Sequence, residues 1–123
     1  MYELTIEASF SSAHNLRGYE GACENLHGHN WKVEVRVYAP GLDSLGMVVD
    51  FKKIKAATKA VIDGLDHKYL NELPPFNSEN PTAENIARHI YNAVSAALND
   101  GNAAVSRVRV WESDTASAAY HEK

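Results

Sequence analysis

His14, His27 and His29 are the residues of this 123-residue chain whose types and spacing point most directly to chemistry. Side chains of an extended chain alternate with a period of two, so His27 and His29 project to one side of a strand. Gly28 between them has no Cβ, which would let the backbone run close to whatever the pair holds. His14, on a neighbouring segment, would complete a triad of imidazoles. Three neutral nitrogen ligands with a fourth position open describe a catalytic zinc centre, whereas four protein ligands close a structural one. Cys23 stands four residues before His27 and is open to three readings: a small apolar residue, a fourth ligand, or a thiolate base. An unperturbed thiol is about a tenth or less ionised at neutral pH, so a base role needs a nearby cation such as zinc.

Other residues carry weaker signals. Asp66-His67 pairs a carboxylate with an imidazole that it could orient, although a helix C-terminus favours a charged histidine by its dipole alone. Glu112 shares strand parity with Val108 and Val110. A carboxylate on an apolar face needs a partner or a ligand, and adjacent N–H donors on a ring such as an aminopyrimidinone would suit it. The alternative is that the strand ends there and Glu112 is solvated. His89 and His121 belong to no comparable constellation; His89 reads as a helix-surface residue, and His121 lies near the end of the sequence.

Two strands must position the histidines. Residues 2–13 alternate, with Tyr2, Leu4, Ile6, Ala8 and Phe10 on one side and glutamates, Thr5 and Ser9 on the other. Continued extension puts His14 on the Phe10 side. A second alternating run, 29–39, sets His29 on the side of Trp31, Val33, Val35 and Val37. Both strands therefore aim histidines at one apolar layer. A helix is predicted after Asp50, with Phe51, Ile54, Thr58, Val61, Ile62 and Leu65 at helical spacing. A second begins near Asn80-Pro81-Thr82, with either Asn80 or Thr82 as cap, and buries Ile86, Ala87, Ile90, Val94, Ala97 and Leu98. Strands over 104–112 and 116–121 follow. The order ββααββ predicts an α+β domain spanning 1–123, with two helices on one face of a four-stranded antiparallel sheet. Its open edges favour closure by other subunits.

Composition narrows the function classes. With 45% hydrophobic and 23% charged residues, disorder is not expected. A net charge of −4 argues against nucleic acid or an anionic membrane as partner. One cysteine excludes an intrachain disulfide and suits the cytoplasm. The first residues show no basic run followed by an apolar one, so no signal peptide is expected. No apolar stretch approaches the roughly 18 residues of a membrane span.

Taken together, Phe10-Ser-Ser-Ala-His14, Cys23-x-x-x-His27-Gly-His29, Val49-Asp50-Phe51-x-x-Ile54-Lys55, Leu65-Asp66-His67, Asn80-Pro81-Thr82-Ala83-Glu84-Asn85 and Val110-Trp111-Glu112-Ser113 resemble the 6-pyruvoyl-tetrahydropterin synthase family over nearly the whole chain. The three-residue spacer after Cys23 looks like the bacterial branch that forms 6-carboxy-5,6,7,8-tetrahydropterin. The resemblance implies the tunnelling fold, a homohexamer built as a dimer of trimers, and active sites between subunits. It implies zinc on His14, His27 and His29, Cys23 as base within a relay completed by Asp66 and His67, and Glu112, helped by Thr82, as the pterin anchor. The implied reaction is that of a carbon–carbon and carbon–oxygen lyase on the route to queuosine. It turns 7,8-dihydroneopterin triphosphate into the 6-carboxy product, with release of triphosphate and acetaldehyde. No redox cofactor is implied, since the pterin ring takes the electrons. Lys32, Lys52, Lys53 and Lys55 are candidate triphosphate contacts. The pyruvoyl-forming sister activity and a non-catalytic, zinc-stabilised binding module are the competing readings.

Overall fold

Alternation of apolar and polar residues folds the first third of the chain into a long hairpin. In the computed structural model, which describes residues 1–18 and 25–122, β1 (Tyr2–His14) and β2 (His27–Ala39) pair antiparallel along their whole length. The register runs from Tyr2 opposite Ala39 to His14 opposite His27. Ile6, Phe10, Trp31, Val33, Val35 and Val37 are buried on the inward face. β2 starts two residues earlier than expected, at His27, because the ladder with His14 continues that far.

β3 (Ala104–Ser113) pairs with β2, and the short β4 (Ala116–Tyr120) with β3, giving an antiparallel sheet in the order β1-β2-β3-β4. Helices α1 (Phe51–Ile62) and α2 (Ala83–Leu98) both pack on its inward face. The core lies between sheet and helices, where Ile54, Ile86, Ile90 and Val94 meet the valines of β2 and β3. Trp31 is fully buried there and stacks on Phe10 at 5.9 Å. Truncating such a residue to alanine costs about 3–5 kcal/mol.

The helix starts follow from capping. The Asp50 carboxylate accepts from Lys52 N at 2.8 Å, satisfying a backbone donor that the first turn of α1 leaves free. At α2 the cap is Thr82, whose hydroxyl accepts from Asn85 N at 3.1 Å. Pro81 therefore stands outside the helix, and the Asn80 side chain is engaged elsewhere. Three side chains depart from the expected stripes. Phe51, at the first position of α1, is half exposed and walls an open groove of about 350 Å³ with Tyr2, Leu4, Leu42 and Met47. In α2, Tyr91 is buried and Ala97 exposed.

Candidate metal and substrate site

Register builds the centre of the site. His14 and His27 are the last opposed pair of the hairpin, and His29 sits opposite Ser12, two residues along the same face. Their rings approach edge to face, with centroids 4.5 Å apart for His14–His27, 4.7 Å for His27–His29 and 5.2 Å for His14–His29. Trp31 forms the floor, 4.9 Å from the His14 ring and 5.2 Å from that of His29, so the largest side chain of the core also carries the site. The three histidines and Glu112 each offer a ligand atom, all within 4.8 Å of one another.

Backbone carbonyls orient two of the imidazoles. His14 Nδ1 lies 2.7 Å from the Pro81 carbonyl, and His27 Nδ1 lies 2.6 Å from that of Asn25. A carbonyl oxygen only accepts, so Nδ1 must carry a proton, and in the neutral ring Nε2 is then the nitrogen with a free lone pair. On the inner side, the buried Nε2 atoms of His14 and His29 make no hydrogen bond. Both lie near Glu112 Oε1, at 3.2 and 3.0 Å, without the alignment of a hydrogen bond. Burial holds the His29 imidazole below its usual pKa, against the pull of the Glu112 carboxylate, with His14 and His27 adding to the depression. Buried nitrogens without hydrogen bonds beside a carboxylate are what a metal ion would satisfy, and this donor set fits a divalent ion such as zinc.

A bulge delivers Glu112. The β3–β4 register shifts between Trp111, opposite Ser117, and Ser113, opposite Ala116, and Glu112 is the residue between. Bulges re-aim side chains, and here the carboxylate turns in beside the histidines. Its solvation at a strand end, one of the two readings open from the sequence, is not what the structure has. Parity placed Glu112 on the correct face, but nothing in the sequence put it within reach of His14 and His29.

Asp66 and His67 sit elsewhere. They follow α1 and lie along the outer edge of β1, on the side away from β2. His67 N donates to Ser11 O at 2.6 Å, and Asp66 Oδ1 accepts from Ser11 N at 2.9 Å. His67 Nδ1 is 3.0 Å from Asp66 Oδ1, so the two side chains do touch. The Ser11 N–H, more than the His67 contact, holds the Asp66 carboxyl below its usual pKa. His67 adopts φ 55° and its side chain is 81% exposed. Within one chain the pair is thus separated from the histidine triad by β1 itself. Thr82 is one residue from the carbonyl that orients His14. Cys23 lies outside the described residues.

The remaining candidates fall away from this centre. Lys32 is on the opposite sheet face, 3.7 Å from Glu7 and 4.4 Å above the Trp111 ring, while Lys52, Lys53 and Lys55 are exposed on α1. His89 is half buried against Phe76, with rings 5.3 Å apart, and not the surface residue expected; burial lowers its pKa. The close approach expected at Gly28 is absent, since a Cβ there would meet only Ser12 O, at 4.0 Å. Sequence reasoning missed the Pro81 and Asn25 carbonyls, which carry no residue-type signal.

The profile of the 6-pyruvoyl tetrahydropterin synthase family matches residues 3–123. A protein of Haemophilus influenzae named 6-carboxy-5,6,7,8-tetrahydropterin synthase is 35% identical, over 99% of this chain and 100% of its own. A Pyrococcus furiosus protein named dihydroneopterin monophosphate aldolase is 37% identical, over 89% of this chain and 88% of its own. Among solved structures, the Caenorhabditis elegans 6-pyruvoyl tetrahydropterin synthase superposes with a TM-score of 0.86 at 27% identity, covering 100% of this chain and 98% of that one. The ββααββ architecture is that of the tunnelling fold. Among the described residues no helix is long and apolar enough to cross a membrane.

Proposed function

The chain belongs to the 6-pyruvoyl tetrahydropterin synthase family, and on that premise we propose that it is a zinc-dependent lyase. It converts 7,8-dihydroneopterin triphosphate to 6-carboxy-5,6,7,8-tetrahydropterin, with release of triphosphate and acetaldehyde, as a step toward queuosine. The observation that carries this reading is the convergence of His14, His27, His29 and Glu112, with two Nδ1 atoms committed to carbonyls and buried Nε2 atoms left without hydrogen bonds.

His14, His27 and His29 hold the metal. When bound, zinc supplies a Lewis acid that acidifies the C–H and O–H bonds of the substrate side chain. Glu112 would accept the N–H donors of the pterin ring, from a position 3.2 and 3.0 Å from the Nε2 atoms of His14 and His29 that would hold the metal. The Thr82 hydroxyl caps α2 as an acceptor and retains its proton for the substrate. Cys23 moves a proton on one side of the substrate side chain. His67, oriented through Nδ1 by Asp66, moves one on the other. Because His67 lies on the β1 edge, outside the cluster of histidines and Glu112, the working site takes it from a second copy of the chain, in a cytoplasmic hexamer of single-domain subunits built as a dimer of trimers.

The Pyrococcus furiosus relative favours a second reading, aldol cleavage of a dihydroneopterin phosphate. Incubation of the purified protein with the triphosphate and the monophosphate separately, with products weighed by mass spectrometry, decides between them. Formation of 6-carboxytetrahydropterin and acetaldehyde from the triphosphate is expected. A 6-pyruvoyl product, or turnover of the monophosphate alone, would overturn the assignment.

A further inference from the structure

We propose that Asn80 is a positioning residue of the metal centre, acting on His14 through the backbone that it ties down; this rests on the metal reading above. Two asparagines from the segment between the helices grip the chain just after His14. Asn71 accepts from Asn15 N at 3.0 Å and donates to Asn15 O at 2.9 Å. Two residues further on, Asn80 accepts from Arg17 N at 2.9 Å and donates to Arg17 O at 2.9 Å. A carboxamide carries one acceptor and one donor group, like a peptide unit. Side chains thus extend the ladder beyond the end of β1, where no strand continues it.

Asn80 differs from Asn71 in what its own backbone carries. The next residue, Pro81, presents the carbonyl that faces His14 Nδ1 at 2.7 Å. The Asn80 carbonyl accepts from Asn85 Nδ2 and from Thr82 N, both at 2.9 Å. Arg17 returns the grip, donating its guanidinium to Glu79 O at 3.1 Å and to Phe76 O. The residue preceding the Pro81 carbonyl is therefore held forward to α2 by Asn85 and back, through its own side chain, to Arg17, three residues beyond His14. Loosening it frees the imidazole to rotate or to exchange tautomers, and the Nε2 lone pair is then no longer fixed toward the other ligands. Partners that orient a ligating histidine typically contribute 10–100-fold to metal affinity. The helix start does not need Asn80, since Thr82 caps α2.

The test measures zinc affinity by competition with a chromogenic chelator, alongside thermal melting of the metal-free protein. Asn80→Ala is expected to raise the zinc dissociation constant about 10–100-fold, while metal-free melting stays cooperative. Asn80→Asp keeps the acceptor but loses the donor to Arg17 O, and falls between the two. The proposal is overturned if Asn80→Ala binds zinc within about twofold of the wild type, if Asn80→Asp matches the wild type, or if affinity falls only together with loss of cooperative melting. A wild-type chain that takes up no zinc overturns the metal reading and this proposal with it; tight wild-type binding unchanged by Asn80→Ala overturns this proposal alone.

Discussion

The two sides of β1 near its C-terminal end present opposite chemistry. On the inward face, His14 is 1% exposed, floored by Trp31 and oriented by the Pro81 carbonyl. Along the outer edge, the His67 side chain is 81% exposed, with Asp66 beside it as its ionic partner. The first group converges on a common point within one chain. The second is an oriented imidazole facing solvent, beside an open groove of about 360 Å³ that Asp66 lines with residues of β1 and α1. A proton shuttle gains little from orientation while it stays in bulk water, because water competes for the same transfers. The contrast teaches that the cluster of histidines and Glu112 is complete within one chain, whereas on the proposed reading the Asp66–His67 pair acts only where another copy presents its β1 edge.

The largest test of this contrast removes an imidazole. His29→Ala should lose bound zinc and lower turnover by a thousandfold or so, since metal chemistry is worth several kcal/mol and each 1.36 kcal/mol is tenfold. Metal analysis showing full zinc occupancy would remove His29 from the ligand set. Next, His67→Ala should keep its zinc and lose about 10²–10⁴ in rate, the usual worth of a general acid or base. Refolding it together with His29→Ala should then restore activity that neither variant has alone. No recovery in mixed oligomers would place both halves of the site in one subunit.

A smaller effect is expected at Glu112. Hydrogen bonds to a charged group contribute about 1.5–3 kcal/mol, so Glu112→Ala should raise KM roughly 10–100-fold while zinc stays bound. Unchanged KM and rate would remove the anchor, and lost zinc would make the carboxylate a ligand. The smallest effect concerns Asp66. Its folded pKa is lowered, chiefly by the Ser11 N–H. Its contribution to stability is therefore complete above the ordinary aspartate value and disappears as pH falls through the lowered one. Acid melting curves of Asp66→Asn should lack that component; identical curves for the two proteins would show that the contact stabilises nothing.

Much of this was legible because it depends on period. Alternation is a direct consequence of strand geometry, so the inward faces of β1 and β2, and with them the convergence of His14, His27 and His29, followed from counting. The capping of α1 by Asp50 was equally readable from residue type. Glu112 was only half legible: parity gave its face, but the bulge between Trp111 and Ser113 that turns it toward the histidines is a long-range pairing event with no local signature. Asp66 and His67 were recognisable as a pair, yet which edge of the sheet they reach depends on how the chain leaves α1. Asn80 read as one of two possible caps; its real partner, the Arg17 backbone, is 63 residues away in sequence. Carbonyls such as that of Pro81 belong to every residue, and only a fold makes one of them special.

The direct opposition of His14 and His27 has one more consequence. They are the last rung of the β1–β2 ladder. Doubling the length of a loop that leaves and returns at one rung costs only about 0.6 kcal/mol in closure entropy. One residue inserted within either strand would instead turn a histidine to the opposite face of the sheet. Insertions inside the ladder are therefore ruinous, and those at Asn15, Arg17 or Asn25 would break the contacts that orient His14 and His27.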